Sequence, residues 1–146
     1  MSSIESLPQK LGSSVPWTEK GGVLWLDPCP VRIRDLCQEM NAVKARFVTI
    51  TAYQLAGGDG IRLEYHWDLD GYLLGFTYKL EGNPIESIYD ICEAVDWIER
   101  EIHEEYAIDF TGRAYEPLLL RAGDTAGVNL RETAAPKTAP PQEVKQ

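Results

Sequence analysis

The sequence predicts an α+β domain, an antiparallel β-sheet meander packed on one side by helices, and three observations predict it. Residues 61–80 alternate apolar and polar along two runs separated by Asp70-Gly71, the pattern of half-buried strands joined by a tight hairpin. Beyond residue 83 the apolar spacing changes to that of a helix. Finally, the 146 residues are 44% hydrophobic and carry four Trp, seven Tyr and three Phe; that suffices for one core and falls short of two comfortable ones. The expected organisation is a single domain over residues 1–121. Residues 122–146 form an expected flexible tail, since Thr133 to Pro141 is rich in Ala, Thr and Pro.

Taken in chain order, Val23 to Leu26 reads as a short strand. Asp27-Pro28 reads as an N-cap and first helical residue, leading into a helix from about Val31 to Val43. Arg46 to Leu55 is rich in β-branched and aromatic residues and is cut off by Ala56-Gly57-Gly58-Asp59. Next, Ile61, Leu63, Tyr65, Trp67 and Leu69 share one face, while Arg62, Glu64, His66 and Asp68 share the face toward water or a partner. After the turn, Tyr72, Leu74, Phe76, Tyr78 and Leu80 continue an aromatic core face. These three strands make the meander.

Asn83-Pro84-Ile85-Glu86 places a capping side chain, a proline at N1 and a glutamate at N3, so a long helix is expected to start there. On it, Ile88, Ile91, Cys92, Val95, Ile98, Ile102 and Tyr106 form one apolar stripe. Trp97 projects to the opposite face, among Glu93, Arg100, Glu101 and Glu104, where an indole is out of pattern. Glu99 falls at the stripe edge, where a carboxylate is costly unless another group meets it. Such violations of patterning are candidate functional positions, although a single exposed Trp is also compatible with an ordinary surface.

Charge and cysteine usage exclude several classes. With 14 Lys and Arg against 23 Asp and Glu, the chain lacks the basic excess of a nucleic-acid binder. Its longest apolar runs fall far below the roughly 20 residues that span a bilayer, so no direct membrane insertion is expected. Met1 to Gly12 is polar and does not read as a secretion signal; together with three widely spaced cysteines, Cys29, Cys37 and Cys92, this points to the cytoplasm. The cysteines read as buried thiols, because their spacing suits neither an iron-sulfur cluster nor a zinc site. His103-Glu104-Glu105 lacks the second histidine of a zincin helix. No metal or cofactor is expected in this chain.

The stretch Ala94-Val95-Asp96-Trp97-Ile98-Glu99-Arg100-Glu101, followed by Glu104, Tyr106, Ile108, Phe110 and Gly112, resembles the C subunit, or thirty-kilodalton subunit, of respiratory NADH-quinone oxidoreductase. That family includes the equivalent subunits of energy-converting membrane-bound nickel-iron hydrogenases. Trp97, Glu99, Arg100, Glu101, Ile108, Phe110 and Gly112 match its pattern directly. Glu104 stands for the usual Asp, Tyr106 for Phe and Ala107 for Gly, and Arg113 replaces a common His. Pro117 to Arg121 is similar to the leucine-rich segment that comes next in the family. The resemblance runs from about Val31 to Arg121, and the short flanks look more like a hydrogenase-type or otherwise abbreviated complex.

The resemblance implies a cofactor-free docking subunit on the cytoplasmic side of a membrane-bound oxidoreductase. Its partners would be a large catalytic subunit, which houses a nickel-iron or quinone-reducing site, and neighbouring iron-sulfur subunits. The implied interface is Trp97, Glu99, Arg100, Glu101, Glu104, Tyr106, Ile108, Phe110, Gly112 and Arg113. Trp97 serves there as an aromatic anchor, Arg100 grips a partner's carboxylate, and Glu99 and Glu101 fix orientation. Two readings stand beside it: a free-standing adaptor domain, and a small acid/base enzyme using His66, Asp68 or Asp70 at the hairpin. The bland alternative for the acidic residues is a solvated face with an Asp96–Arg100 pair at i, i+4.

Overall fold

The structure, a computed structural model, describes residues 3–131. Its elements are α1 (Ser3–Lys10), β1 (Thr18–Lys20), β2 (Val23–Leu26), α2 (Ile33–Ala42), β3 (Arg46–Gln54), β4 (Ile61–Leu69), β5 (Tyr72–Leu80), β6 (Pro84–Glu86), α3 (Asp96–Tyr106) and β7 (Asp109–Thr111). Five strands form one sheet in the order β1-β2-β5-β4-β3, and β6 and β7 form a small second sheet. All pairs in the large sheet are antiparallel except β2 with β5. The α+β class and the central meander are therefore as the sequence predicts.

The hairpin follows from local chemistry. Asp70 and Gly71 both take positive φ, 53° and 85°, as a two-residue turn matching the right-handed strand twist requires. Leu69 consequently pairs with Tyr72, and the register runs unbroken to Ile61 and Leu80. The alternation predicted for β4 is realised, with Ile61, Leu63, Tyr65, Trp67 and Leu69 all buried. They join Ile50, Leu74 and Phe76, the inner side of α2 (Ile33, Leu36, Cys37, Met40), and Ile4, Leu7 and Leu11 in one core. Each fully buried large side chain of this kind contributes roughly 1.5–3 kcal/mol of hydrophobic stabilisation.

The opposite sheet face is half covered. Trp25 lies across Gly75, where an added Cβ would come within 2.4 Å of the indole. It also meets the His66 ring edge-on at 5.3 Å.

Four expectations are corrected. First, α2 begins at Ile33, not near Val31 behind an Asp27 cap. Asp27 instead accepts hydrogen bonds from Thr77 (2.6 Å) and Arg62 (2.8 Å), which fix it to the sheet. Second, no helix starts at Asn83. Pro84 to Glu86 pairs in parallel with Asp109 to Thr111, the Asn83 carbonyl accepts the Asp109 N–H, and α3 begins only at Asp96. Tertiary contacts outweigh the capping signal here. Arg34 donates to the Ser87 carbonyl and to both oxygens of Asp90, and Asn41 donates to the Ile91 carbonyl, holding residues 87–91 as a turn against α2.

Third, residues 3–12 fold, although they read as a polar opening. Pro8 inside α1 masks the helical signal, yet Ile4, Leu7 and Leu11 are buried, and the Trp17 indole donates to the Ile4 carbonyl at 2.8 Å. Fourth, the expected tail does not begin at residue 122. The amides of Gly127 and Val128 donate to the Glu104 carbonyl and that of Asn129 to the Glu105 carbonyl, while the Arg131 amide meets Gln54. The tail expectation for 132–146 lies outside the described residues.

Candidate functional site

The out-of-pattern residues of α3 organise the site. Glu99, placed by sequence at the stripe edge, is 1% exposed and is met as such a carboxylate must be. It accepts from the Ser87 hydroxyl (2.6 Å), the Ile88 amide (3.0 Å) and the Arg113 guanidinium (3.2 Å). Burial raises its pKa, and these three donors only partly counter that. Arg113 also binds Asp96 and lies over the Tyr89 ring, 4.5 Å from its centroid. The Asp96 carboxyl is held below its ordinary range mainly by that Arg113 hydrogen bond, which outweighs the effect of burial.

Arg100 and Glu104 bind the chain beyond the helix. Arg100 makes the i, i+4 pair with Asp96 at 3.2 Å, and donates to the carbonyls of Glu116 (3.0 Å) and Pro117 (2.7 Å). Glu104, expected on the solvated face, is 2% exposed. Its carboxylate accepts from the Tyr115 hydroxyl (2.5 Å) and the amides of Leu118 (2.7 Å), Leu119 (2.9 Å) and Leu120 (3.3 Å). Burial alone would raise its pKa, but these four donors draw it down to about 2. The same contact, with burial, lifts the Tyr115 hydroxyl to about 12. Residues 115–120 are thus bound along α3 by an anion inside the fold and a guanidinium at its edge.

The remaining predicted site residues divide into core, turn and surface. Ile108 and Phe110 are buried, and Tyr106 is half-buried against the core. Gly112 has a φ of 86° at the exit of β7. Ala107 takes the left-handed conformation that ends α3, φ 54°, with its N–H on the His103 carbonyl; a glycine is at ease there and a Cβ is not. Glu101 is half-exposed and makes no ion pair among the described residues. Trp97 is 70% exposed and Leu119 is 72% exposed. Trp97, Arg100 and Glu104 fall on one side of the helix, each about one turn from the next, so the indole shares the face along which residues 115–120 are bound.

Between these elements lies a cavity of about 100 Å³ lined by Glu99, Arg100, His103, Asp109, Phe110, Arg113 and Tyr115. His103 Nδ1 is 2.7 Å from the Ile108 carbonyl and its ring is 4.2 Å from Tyr115. A carbonyl can only accept, so Nδ1 carries the proton. The hairpin residues of the acid/base reading do not converge: Asp68 is engaged by the Gly71 amide and Arg46, Asp70 is the turn residue, and His66 packs on Trp25. Among the described residues no group of three or more His, Cys, Asp or Glu could hold a metal ion. No described helix is long and apolar enough to cross a membrane.

Sequence reasoning locates Glu99 and Trp97, but misses Ser87, Tyr89 and Tyr115 as their companions, and misses the role of the backbone at 118–120. The Glu104 site has no side-chain signal to find, because three of its four donors are main-chain amides.

Fold and site together define a small α+β subunit domain, in which buried charges fasten the end of the domain onto one helix and leave aromatic and aliphatic side chains outside. The chain belongs to the respiratory-chain NADH dehydrogenase 30 kDa subunit family, whose profile matches residues 30–139. It is accordingly a subunit of a complex I-like assembly. A solved structure of the trypsin-resistant fragment (1–134) of Nqo5 shares the fold, with a TM-score of 0.58 and 18% identity over 73% of this chain and 92% of that one. No curated protein matches the sequence.

Proposed function

We propose that the chain is a docking subunit of the peripheral arm, packing against the large catalytic subunit and neighbouring iron-sulfur subunits while carrying no redox centre itself. The observation that carries this reading is that Trp97 and Leu119 are 70% and 72% exposed, the first on α3 and the second on the segment bound along it. An exposed Trp on an internally braced helix has the character of an interface anchor. Asp96, Glu99, Arg100 and Arg113 compensate one another in charge, so among the charges of this face Glu101 is left to meet a partner. In this reading Arg100, Glu99 and Glu104 support the interface by shaping it, and Trp97, Leu119 and Glu101 touch the partner. Iron-sulfur clusters and the nickel-iron or quinone site belong to those partners, and the assembly sits on the cytoplasmic face of the membrane.

The test is co-purification of the tagged chain from its native membranes, followed by mass spectrometry and metal analysis. Wild type should bring down a large subunit; whether it carries nickel separates the hydrogenase branch from the quinone-reducing one. Trp97→Ala with Leu119→Ala should lose it, while urea midpoints of the purified chain move by no more than about 0.5 kcal/mol equivalent, as for exposed positions. Recovery of the wild-type chain alone and monomeric would reject docking and leave the adaptor reading.

A further inference from the structure

The cavity between α3 and the chain that follows it holds polar groups that the bracing of the fold leaves over. Most of the charge around it is committed. Arg100 donates to Asp96 and to the carbonyls of Glu116 and Pro117, and Arg113 donates to Asp96 and Glu99. Glu99 is buried and met by three donors, and the Tyr115 hydroxyl is given to Glu104. Two groups on the wall remain. One is the exposed carboxylate of Asp109 at the start of β7, whose side chain has no hydrogen-bond or ion-pair partner among the described residues. The other is Nε2 of His103, which has no partner there either.

Both of these groups are acceptors. His103 Nδ1 donates to the Ile108 carbonyl at 2.7 Å, so the neutral ring offers a lone pair at Nε2, and an ionised carboxylate can only accept. Formal charge points the same way. Asp96, Glu99 and Asp109 against Arg100 and Arg113 leave one negative charge, that of Asp109, because the other four are paired among themselves. An anion would find no uncommitted side-chain donor on this wall beside the neutral ring, whereas a cation finds two free acceptors. Phe110, 5% exposed, and the Tyr115 ring, 4.2 Å from that of His103, supply aromatic surface that suits a planar cation. The volume of about 100 Å³ is well below the roughly 300 Å³ at which small-molecule pockets begin. It has room for the head of one side chain.

We propose that this cavity is the socket for one arginine of the large subunit, whose guanidinium donates to the Asp109 carboxylate and to His103 Nε2 against the rings of Phe110 and Tyr115. The proposal rests on the docking reading and adds a charged contact to it: Trp97 supplies apolar area, and the socket supplies direction. A guanidinium carries donors along the edges of a plane, so it serves both acceptors while its faces meet the rings. A lysine ammonium is a strongly hydrated point charge and gains less from the same walls. Because Asp109 is the one unmatched charge at the cavity, its loss acts on the partner and leaves the internal pairs of α3 in place.

Two experiments test this, one on the full chain alone and one on the assembly. Methylguanidinium chloride, titrated into the full chain and followed by amide NMR against equal concentrations of sodium chloride, should shift Asp109, Phe110 and Tyr115 with a Kd on the order of millimolar. Asp109→Asn, which keeps the shape, should weaken that binding about tenfold. Co-purification from native membranes then compares Asp109→Lys and Asp109→Asn with Glu19→Lys, the same charge change on β1, at the sheet edge opposite β3. Wild type and Glu19→Lys should bring down the large subunit, Asp109→Lys should reduce its yield about tenfold or more, and Asp109→Asn should reduce it less. Should Asp109→Lys lose its circular dichroism spectrum, Asp109→Asn decides. If methylguanidinium moves these amides no further than sodium chloride does, the socket is rejected. If it binds, yet the Asp109 variants recover the large subunit at wild-type yield, the arginine contact falls and the docking reading stands. If wild type comes down alone, the docking reading falls and the partner arginine with it.

Discussion

Glu104→Gln removes one charge from a site 2% exposed without changing its shape, and so isolates what that charge contributes to holding residues 115–120. The Glu104 carboxyl moves from an ordinary 4.5 to about 2 on folding. At ~1.4 kcal/mol per pH unit this corresponds to about 3 kcal/mol of stability at neutral pH. Because the folded value is the lower one, that contribution is complete above about pH 4.5 and is lost as pH falls toward 2. The amide keeps one acceptor but turns two N–H donors toward a cluster of donors, so the expected loss at pH 7 is about 2–3 kcal/mol. Urea unfolding of the full chain followed by Trp fluorescence reads it as a lowered midpoint. The gap between wild type and variant should shrink to about half at pH 3, since much of the linkage is gone there. Hydrogen exchange should show lost protection at the amides of Leu118 to Leu120. A loss below about 0.5 kcal/mol, or a gap that does not change with pH, would refute the assignment of this carboxylate as the clamp.

Glu99→Gln should act in the opposite pH sense. The Glu99 pKa is raised on folding by burial, so wild type gains stability as pH drops through that raised value toward the unfolded one, and the variant should lack this gain in urea titrations run between pH 4 and 7. Ala107→Gly should raise stability by about 0.5–1 kcal/mol, because a Cβ is removed from a left-handed residue with φ 54°; a lower melting temperature would count against that geometry. Tyr65→Phe should be neutral or stabilising by about 1 kcal/mol, since the buried hydroxyl has no hydrogen-bond partner among the described residues; a clear loss by urea titration would reveal a partner.

The hairpin is legible in the sequence because strand alternation and the Asp70-Gly71 turn are local and agree with each other. Val23 to Leu26 is legible as a strand, but not its parallel pairing with β5, which depends on where α2 carries the chain. The segment 83–95 misleads because Asn83-Pro84-Ile85-Glu86 carries helix-start chemistry, while Arg34 and Asn41, some fifty residues earlier, hold residues 87–91 as a turn. At the site, Trp97 is legible as an apolar residue on a polar face, and Glu99 as a carboxylate needing company. Glu104 is not, since a buried acid whose donors are backbone amides has the same sequence signature as a solvated one. The residues that carry the family resemblance point, from sequence, toward a partner. Three of them, Glu99, Arg100 and Glu104, have their hydrogen bonds inside the chain.

The clamp on residues 115–120 changes what counts as the end of this domain. Judged by apolar burial, the core closes at Phe110, and a cut just after it would sacrifice no core side chain. Such a cut would nevertheless strip Glu104 of all four donors and Glu99 of Arg113, and with them the stability those bonds supply. The segment is in effect a ligand carried on a short tether, held at high local concentration by the few residues between β7 and Tyr115. Its affinity for α3 therefore sets a threshold for any outside peptide that offered consecutive amides to the same carboxylate.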